Sequence, residues 1–362
     1  MKKLDWYIIG KFLRTFFFVV LIFSMVSMIV DFSEKIERFI ESDITKQVII
    51  LEYFPTFLLF ILGFLWPMLT LISVIFFTGR MADNSEIISI LNAGVSFWRL
   101  MRPYLISSGF LFLLYLAGIH FVVPWANAHR AEIERVYFNR GRDEGKTTNV
   151  HFFVAPDTKV YMTHYNKRDS AARNFRIEHI VDNQLVSLTK ARSARFVQGD
   201  PDIWRLDNYE IRTFNGLEET LEVGNRTTLD TVLNLRPEDF VEYREQQSSL
   251  TTPELIRQLR SQQERGAGNI RKYQVELARR SAEPFTIFIL TLIGLAVAGR
   301  KVRGGIGIQL AGGIFMGALF VFLSRFASTI SSSANLPVWL GMWTPNIIFF
   351  AAALYFVANA QR

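Results

Sequence analysis

The chain has 362 residues, half of them hydrophobic, with 33 Phe, 7 Trp, a mean hydropathy of +0.20 and a formal net charge of +7. That is too apolar for a disordered chain, and the absence of cysteine excludes disulfides, thiol nucleophiles, iron–sulfur clusters and cysteine-ligated zinc. The histidines His120, His129, His151, His164 and His179 form no short ligand spacing such as HExxH, so no local metal motif is present.

The apolar residues are blocked at the two ends of the chain. A bilayer core of about 30 Å asks for about 20 helical residues, and six charge-poor segments approach that length. The first runs from Thr15 to Val30, with Lys11 and Arg14 placed to snorkel at its start. The second extends from Tyr53 to Gly79, bent at Pro55 and Pro67, and the third from Pro103 to about Trp125. The fourth spans Pro284 to Gly299, the fifth runs from Gly304 past Phe320, and the sixth lies between Trp339 and Asn359. No small-x-small cleavage site follows Val30, and the stretch from Asp31 to Arg38 continues a helical charge pattern. The first segment therefore reads as an uncleaved signal anchor.

Between the third and fourth segments the apolar period changes to that of strands. Asn149 to Val154, Lys159 to Tyr165, Phe175 to Val181, Leu185 to Val197 and Trp204 to Phe214 are β-rich, broken at Asp157, Asn183, Gly199-Asp200-Pro201 and Asn215-Gly216. An all-β sandwich or jelly-roll-like domain is predicted. Thr252-Pro253-Glu254 then supplies a cap, a proline and a first-turn acid for a helix toward Gln263. Gly266 and Gly268 interrupt it, and Ile270 to Ala282 returns the chain to the membrane. The predicted fold is a polytopic α-helical membrane protein of six spans, three and three, with an inserted all-β domain. Its parts are 1–128 (three spans and a short cytoplasmic helix at about 83–94), 129–250 (β domain), 251–283 (helical connector) and 284–362 (three spans).

Lysine and arginine in short loops orient such a chain. The N-terminal end, the 80–102 loop, the 300–303 turn and Arg362 together hold eleven basic against three acidic residues, while the 129–283 block holds 25 against 24. The net charge is thus topological: both termini point to the cytoplasm, and the middle block and the 31–52 loop point outward. No basic stripe with interleaved aromatics exists, so nucleic acid is not a predicted partner. Gly141-x-x-x-Gly145-Lys146-Thr147 resembles a phosphate loop but has three residues between its glycines where the Walker loop has four. It reads as a surface turn, and no nucleophile elbow occurs either.

The 80–102 loop carries the sharper pattern. Asp83-x-x-Glu86 reads as a capping box, Gly94 as a helix stop, and Ile87, Ile90 and Leu91 as one apolar face of a short helix. That face can pack on its own bundle or on another protein, and Glu86 is either a cap residue or a contact to a cytoplasmic motor.

With these features in place the sequence resembles, over essentially its whole length, the lipopolysaccharide export permeases of the YjgP/YjgQ type. The resemblance rests on Ser85-Glu86-Ile87 leading to Ala93-Gly94-Val95-Ser96, on Ala191-x-x-Ala194 followed by Trp204-x-Leu206, and on Pro253-Glu254-Leu255. Glu283-Pro284 and Leu336-Pro337 leading to Trp343-Thr344-Pro345-Asn346 complete it. It implies the inner membrane of a Gram-negative bacterium, a periplasmic jelly-roll domain, a sibling permease, a cytoplasmic ATPase dimer that consumes the ATP, and a periplasmic bridge protein of jelly-roll fold. The chain itself would hold no cofactor. It also implies that the inner helix docks in a groove of the ATPase, with Glu86 at the position of the family's coupling glutamate. The remaining coupling candidates are then Asp83, Ile87, Ile90, Leu91 and Gly94.

Lipopolysaccharide is anionic at its headgroup and greasy below it, so its host needs apolar walls and a cationic rim at outer-leaflet height. The rim candidates are Lys35, Arg38 and Arg325, the last about 31 Å above Gly304 by helix rise. Asp31 and Glu34 precede Lys35 and Arg38 by four residues, so plain surface ion pairs are the alternative for these two. Family members carry a basic residue where this chain has Asp31. Gly313-x-x-x-Gly317 gives the fifth span a small-residue face, suited to packing within the chain or to a gate against the sibling. The other readings are an ABC permease for a lipoprotein or other lipid, and a membrane scaffold without a transport cycle.

Overall fold

The computed structural model describes residues 3–138, 148–166, 169–199, 201–216, 218–237, 246–264, 270–300, 305–333 and 336–360. The Gly141–Thr147 motif, Gly266, Gly268, Lys301 and Arg303 lie outside the described residues. The chain forms two compact units, one of residues 1–138, 247–253 and 271–362, the other of residues 139–246 and 254–270.

The first unit is helical. Helix α1 (Lys3–Glu41) is 39 residues long, about 58 Å by helix rise, so the charged stretch from Asp31 to Arg38 continues the apolar segment without a break. A short turn of helix, α2 (Lys46–Val48), and a π-helical turn (Ile49–Tyr53) lead into α3 (Phe54–Asp83), which keeps Pro67 inside it. After α4 (Glu86–Asn92), Ser96 caps α5 (Phe97–Ala117) by accepting the Arg99 backbone N–H at 3.3 Å. A second π-helical turn (Gly118–Val122), α6 (Val123–Ile133) and a third such turn prolong the third segment to Phe138. Helix α7 (Gln246–Ser249) and the start of α8 (Thr252–Glu264) follow the sheet, and α8 from Glu254 on belongs to the second unit. Helix α9 (Ile270–Ala282) passes through one 3-10 turn at Pro284 into α10 (Thr286–Ala298), so the fourth segment begins well before Pro284. Helices α11 (Gly305–Ser333) and α12 (Val338–Ala360) end the chain. Among the described residues, six helical stretches are long and apolar enough to cross a membrane.

Helix α3 is central among them. Phe12 of α1 stacks on Phe77 at 5.2 Å, and Phe77 stacks on Tyr104 of α5 at the same distance. On its other side α3 meets α10 so closely that a Cβ on Gly294 would lie 2.9 Å from Val74. Glycine there removes the side chain that would hold the helices apart.

The second unit is built on one six-stranded antiparallel sheet in sequential order: β1 (Thr148–Ala155), β2 (Thr158–Asn166), β3 (Ala171–Val181), β4 (Gln184–Val197), β5 (Ile203–Asn215) and β6 (Glu218–Thr231). Five strands coincide with the β-rich stretches of the sequence. The sixth is an addition, paired from Asn215↔Glu218 to Trp204↔Thr231. Its outward side chains are mostly charged or threonine, so it lacks the apolar alternation that marks a half-buried strand. The Asn215-Gly216 turn, with Gly216 at φ +67°, was the available signal, because such a turn implies a returning strand. One sheet face buries Val160, Tyr165, Phe175, Ala194 and Leu206 around Trp204. Phe175 stacks on that indole at 5.4 Å, and its N–H donates to the Leu235 carbonyl at 2.8 Å.

Candidate functional site

Helix α4 lies at the end of the bundle that carries the N-terminus. Asp83 is the last residue of α3 and not the cap of α4, which corrects the capping-box reading. Ser85 holds the cap position in a left-handed conformation (φ 60°) and makes no side-chain cap bond, so the two helices meet at a tight reversal instead of a Ser/Asp-capped entry. The helix proper is shorter than the predicted 83–94, because Ala93 to Val95 form its stop. Gly94 takes φ +82°, its N–H bonds the Leu91 carbonyl at 3.0 Å, and the Val95 N–H bonds the Ile90 carbonyl at 3.4 Å. Glycine is favoured there because a Cβ resists that conformation.

Glu86 does not turn back to its own helix. It accepts from Lys11 Nζ at 3.0 and 3.2 Å and from the Tyr7 hydroxyl at 2.9 Å. Burial pushes its carboxyl upward, but the bonds from Lys11 and Tyr7 and the Lys11 charge outweigh this and hold it below the ordinary carboxylate value. Beside it, buried Asp5 receives Arg99 Nη2 at 2.8 Å, tying the first turn of α1 to the first turn of α5. The predicted apolar face divides. Ile87 is buried and Ile90 packs on the same core, whereas Leu91 stays exposed beside Ile88. Helix α4 is thus anchored by one stripe and presents a second.

At the far end of α1, Lys35 is enclosed by partners. Asp31, itself buried, lies 3.0 Å away and also accepts the Tyr53 hydroxyl at 2.8 Å. Glu134 lies at 3.4 Å, and Lys35 also donates to the Tyr53 hydroxyl. The intrahelical pair that the four-residue spacing suggests for Asp31 and Lys35 therefore forms. Arg38 is exposed and makes no ion pair among the described residues.

Arg325 of α11 lies over the Phe64 ring, 4.3 Å from its centroid. It lines a small cavity of about 40 Å³ together with Arg279, Glu283, Ser324 and Asn346. Gly313 and Gly317 face α3: a Cβ on Gly313 would run into Ile75, and one on Gly317 would lie 2.8 Å from Met68 Cγ. These glycines pack α11 within the chain. Among the described residues no group of three or more metal-ligating side chains converges.

One polar cluster was not legible in the sequence. Glu276 of α9 is held by Arg279 at 2.9 and 3.0 Å and by fully buried Arg280 at 2.8 Å. Arg280 reaches on to Thr252 Oγ1 at 3.0 Å and the Gln247 carbonyl at 3.2 Å, and Thr252 Oγ1 meets His120 Nδ1 at 2.8 Å. Arg279 also pairs with Glu283. The helical spacings Glu276/Arg279, Glu276/Arg280 and Arg279/Glu283 are the local signals for its ion pairs, and none of them reports Thr252, Gln247 or His120.

The apolar surface is unevenly covered. In α1, Phe17, Phe18, Leu21, Ile22, Met25 and Ile29 are exposed, and in α11 Ile308, Ile314, Phe315, Phe322 and Phe326 are. A family model described as lipopolysaccharide export system permease LptF/LptG matches residues 6–359. No curated protein matches the chain.

Proposed function

Because the chain belongs to the lipopolysaccharide export system permease LptF/LptG family of multi-pass inner-membrane transport proteins, we propose that it is one permease half of an ABC exporter. It pairs with a sibling permease, and a separate cytoplasmic ATPase dimer hydrolyses the ATP. Both termini face the cytoplasm, and the β unit lies in the periplasm. Lipopolysaccharide enters from the outer leaflet between the two permeases and passes through the β unit toward a periplasmic bridge protein.

The observation that carries this reading is the uncovered apolar side of α1 and α11. Faces of that kind serve a cargo with several acyl chains if a second subunit completes the enclosure. Of the cationic rim, Arg38 and Arg325 offer charge to lipid phosphates directly. Lys35 contributes only when its bonds to Asp31 and Glu134 open. At the cytoplasmic end, α4 docks on the ATPase through Ile88, Leu91 and the surface around Glu86. Its anchoring through Ile87 and Ile90 makes it a lever that moves with the bundle.

Photocrosslinkers at Phe18 and Phe322 test the proposal in cells. They are expected to capture lipopolysaccharide when the ATPase is active, while one at Ile289, in the bundle interior, does not. Capture of a lipoprotein in place of lipopolysaccharide would refute the cargo assignment. Purification of the chain without an ATPase or a second permease would refute the transporter assignment in favour of a scaffold.

A further inference from the structure

At the N-terminal end of the bundle a cleft of about 380 Å³ opens between α1 and α3, inside the range of small-ligand sites. Its charge is unbalanced. Lys11, Arg14 and Arg80 line it, and Glu86, bonded to Lys11, is the only carboxylate to which any of the three is ion-paired among the described residues. Arg14 and Arg80 are both exposed. Lys11 and Arg14 are three residues apart and so share one face of α1, with Arg80 across from them on α3. Two guanidinium groups and an ammonium around one cleft repel each other unless an anion enters.

We infer that this cleft binds the phosphate of an anionic phospholipid, held by Arg14 and Arg80, with Lys11 exchanging its bond to Glu86 for one to the lipid. The cleft has room for a headgroup, since a Cβ on Gly10 would meet nothing within 4 Å. Trp6 and Tyr7 are exposed beside the cations, and amphipathic rings of this kind favour the headgroup level of a bilayer. Phe17 and Phe18 are exposed one turn beyond Arg14, where acyl chains hanging from such a headgroup would lie. This apolar continuation favours a lipid over a free phosphate. Basic pockets between membrane helices are a recognised mode of phospholipid binding. Because Glu86 begins α4, occupancy of the cleft loosens the tether between α4 and α1. Placing the lipid in the cytoplasmic leaflet rests on the orientation proposed above, whereas the binding does not.

Native mass spectrometry of the full chain, extracted from bilayers of equal phosphatidylcholine and phosphatidylglycerol, tests the site. The wild-type chain is expected to retain phosphatidylglycerol preferentially, and the Arg14→Gln/Arg80→Gln double variant to lose that retention by about tenfold. Arg14→Lys/Arg80→Lys should keep most of it. Lys3→Gln, a charge change at the same end that does not line the cleft, should change nothing. Glu86→Gln should increase retention by freeing Lys11, a gain that misfolding cannot mimic. Unchanged selectivity in the double glutamine variant, or loss of binding in Glu86→Gln, would overturn the inference. Displacement of the lipid by millimolar inorganic phosphate would reassign the cleft to a free anion. Reporter fusions that placed the N-terminus outside would refute the orientation while leaving a positive binding result intact.

Discussion

The span containing α10 and the span of α11 are both long and apolar enough to cross a membrane, yet their surroundings are opposite. In the most apolar stretch of the span containing α10, 67% of residues are buried within the chain, against 22% for α11 and 6% for α1. Periodicity and length recognise a span but do not distinguish one that faces its own protein from one that faces lipid, cargo or a second subunit. That distinction depends on which neighbours fold back against it. Here α10 is wrapped by α3, α5 and α12, while α1 and α11 keep one side bare. The wrapped helices hold the molecule together, and the bare ones are available for work.

Several substitutions would break or sharpen this contrast. The largest effect is expected at Arg280, on the helix continuous with α10. Arg280→Ala leaves buried Glu276 with one partner fewer and takes a donor from the Gln247 carbonyl and from Thr252, which keeps only His120 among the described residues, at an expected cost of about 3–5 kcal/mol, read from thermal unfolding of the detergent-solubilised chain. Next come two adjacent residues of α11. Gly313→Leu drives a side chain into Ile75 and should destabilise by about 1–3 kcal/mol, whereas Gly312→Leu, which points into open space, should stay within about 0.5 kcal/mol. Equal effects at both glycines would refute the two-sided description of α11. Phe322→Ala on the bare face should likewise change stability by no more than about 0.5 kcal/mol while weakening co-purification with the second permease.

The effect most sensitive to pH concerns Glu86. Its carboxyl is held below the ordinary value of 4.5 in the folded chain, so its stabilising contribution is fully present above that value and is lost as pH falls through the depressed one. The stability difference between wild type and Glu86→Gln, no more than about 1 kcal/mol for a partly buried surface pair, should therefore vanish on acidification. A difference that persisted would remove Lys11 and Tyr7 as its cause.

The spans, the inserted β unit and the stop at Gly94 were legible because each is written locally, in apolar run length, alternation or a residue suited to positive φ. Asp83 misled, because the capping-box pattern fits equally well a carboxylate that ends the preceding helix. Glu86 stands out in the sequence as a position, but its partner Lys11 is 75 residues away, and no local period reports such a contact. The same is true of Glu134 beside Lys35 and of Thr252 beside Arg280. Strand β6 was hidden by its exposure, since Leu221, Val223 and Leu229 are its only large apolar residues among mostly charged and threonine side chains, too few for a sustained alternation.

The sequential strand order has a consequence for biogenesis. Every ladder in the sheet joins a strand to the one synthesised immediately before it, so each hairpin closes over a short loop and at a low entropic cost. The sheet needs nothing from residues beyond Thr231 to pair its backbone, and all its ladders can be complete while the last three hydrophobic helices are still on the ribosome.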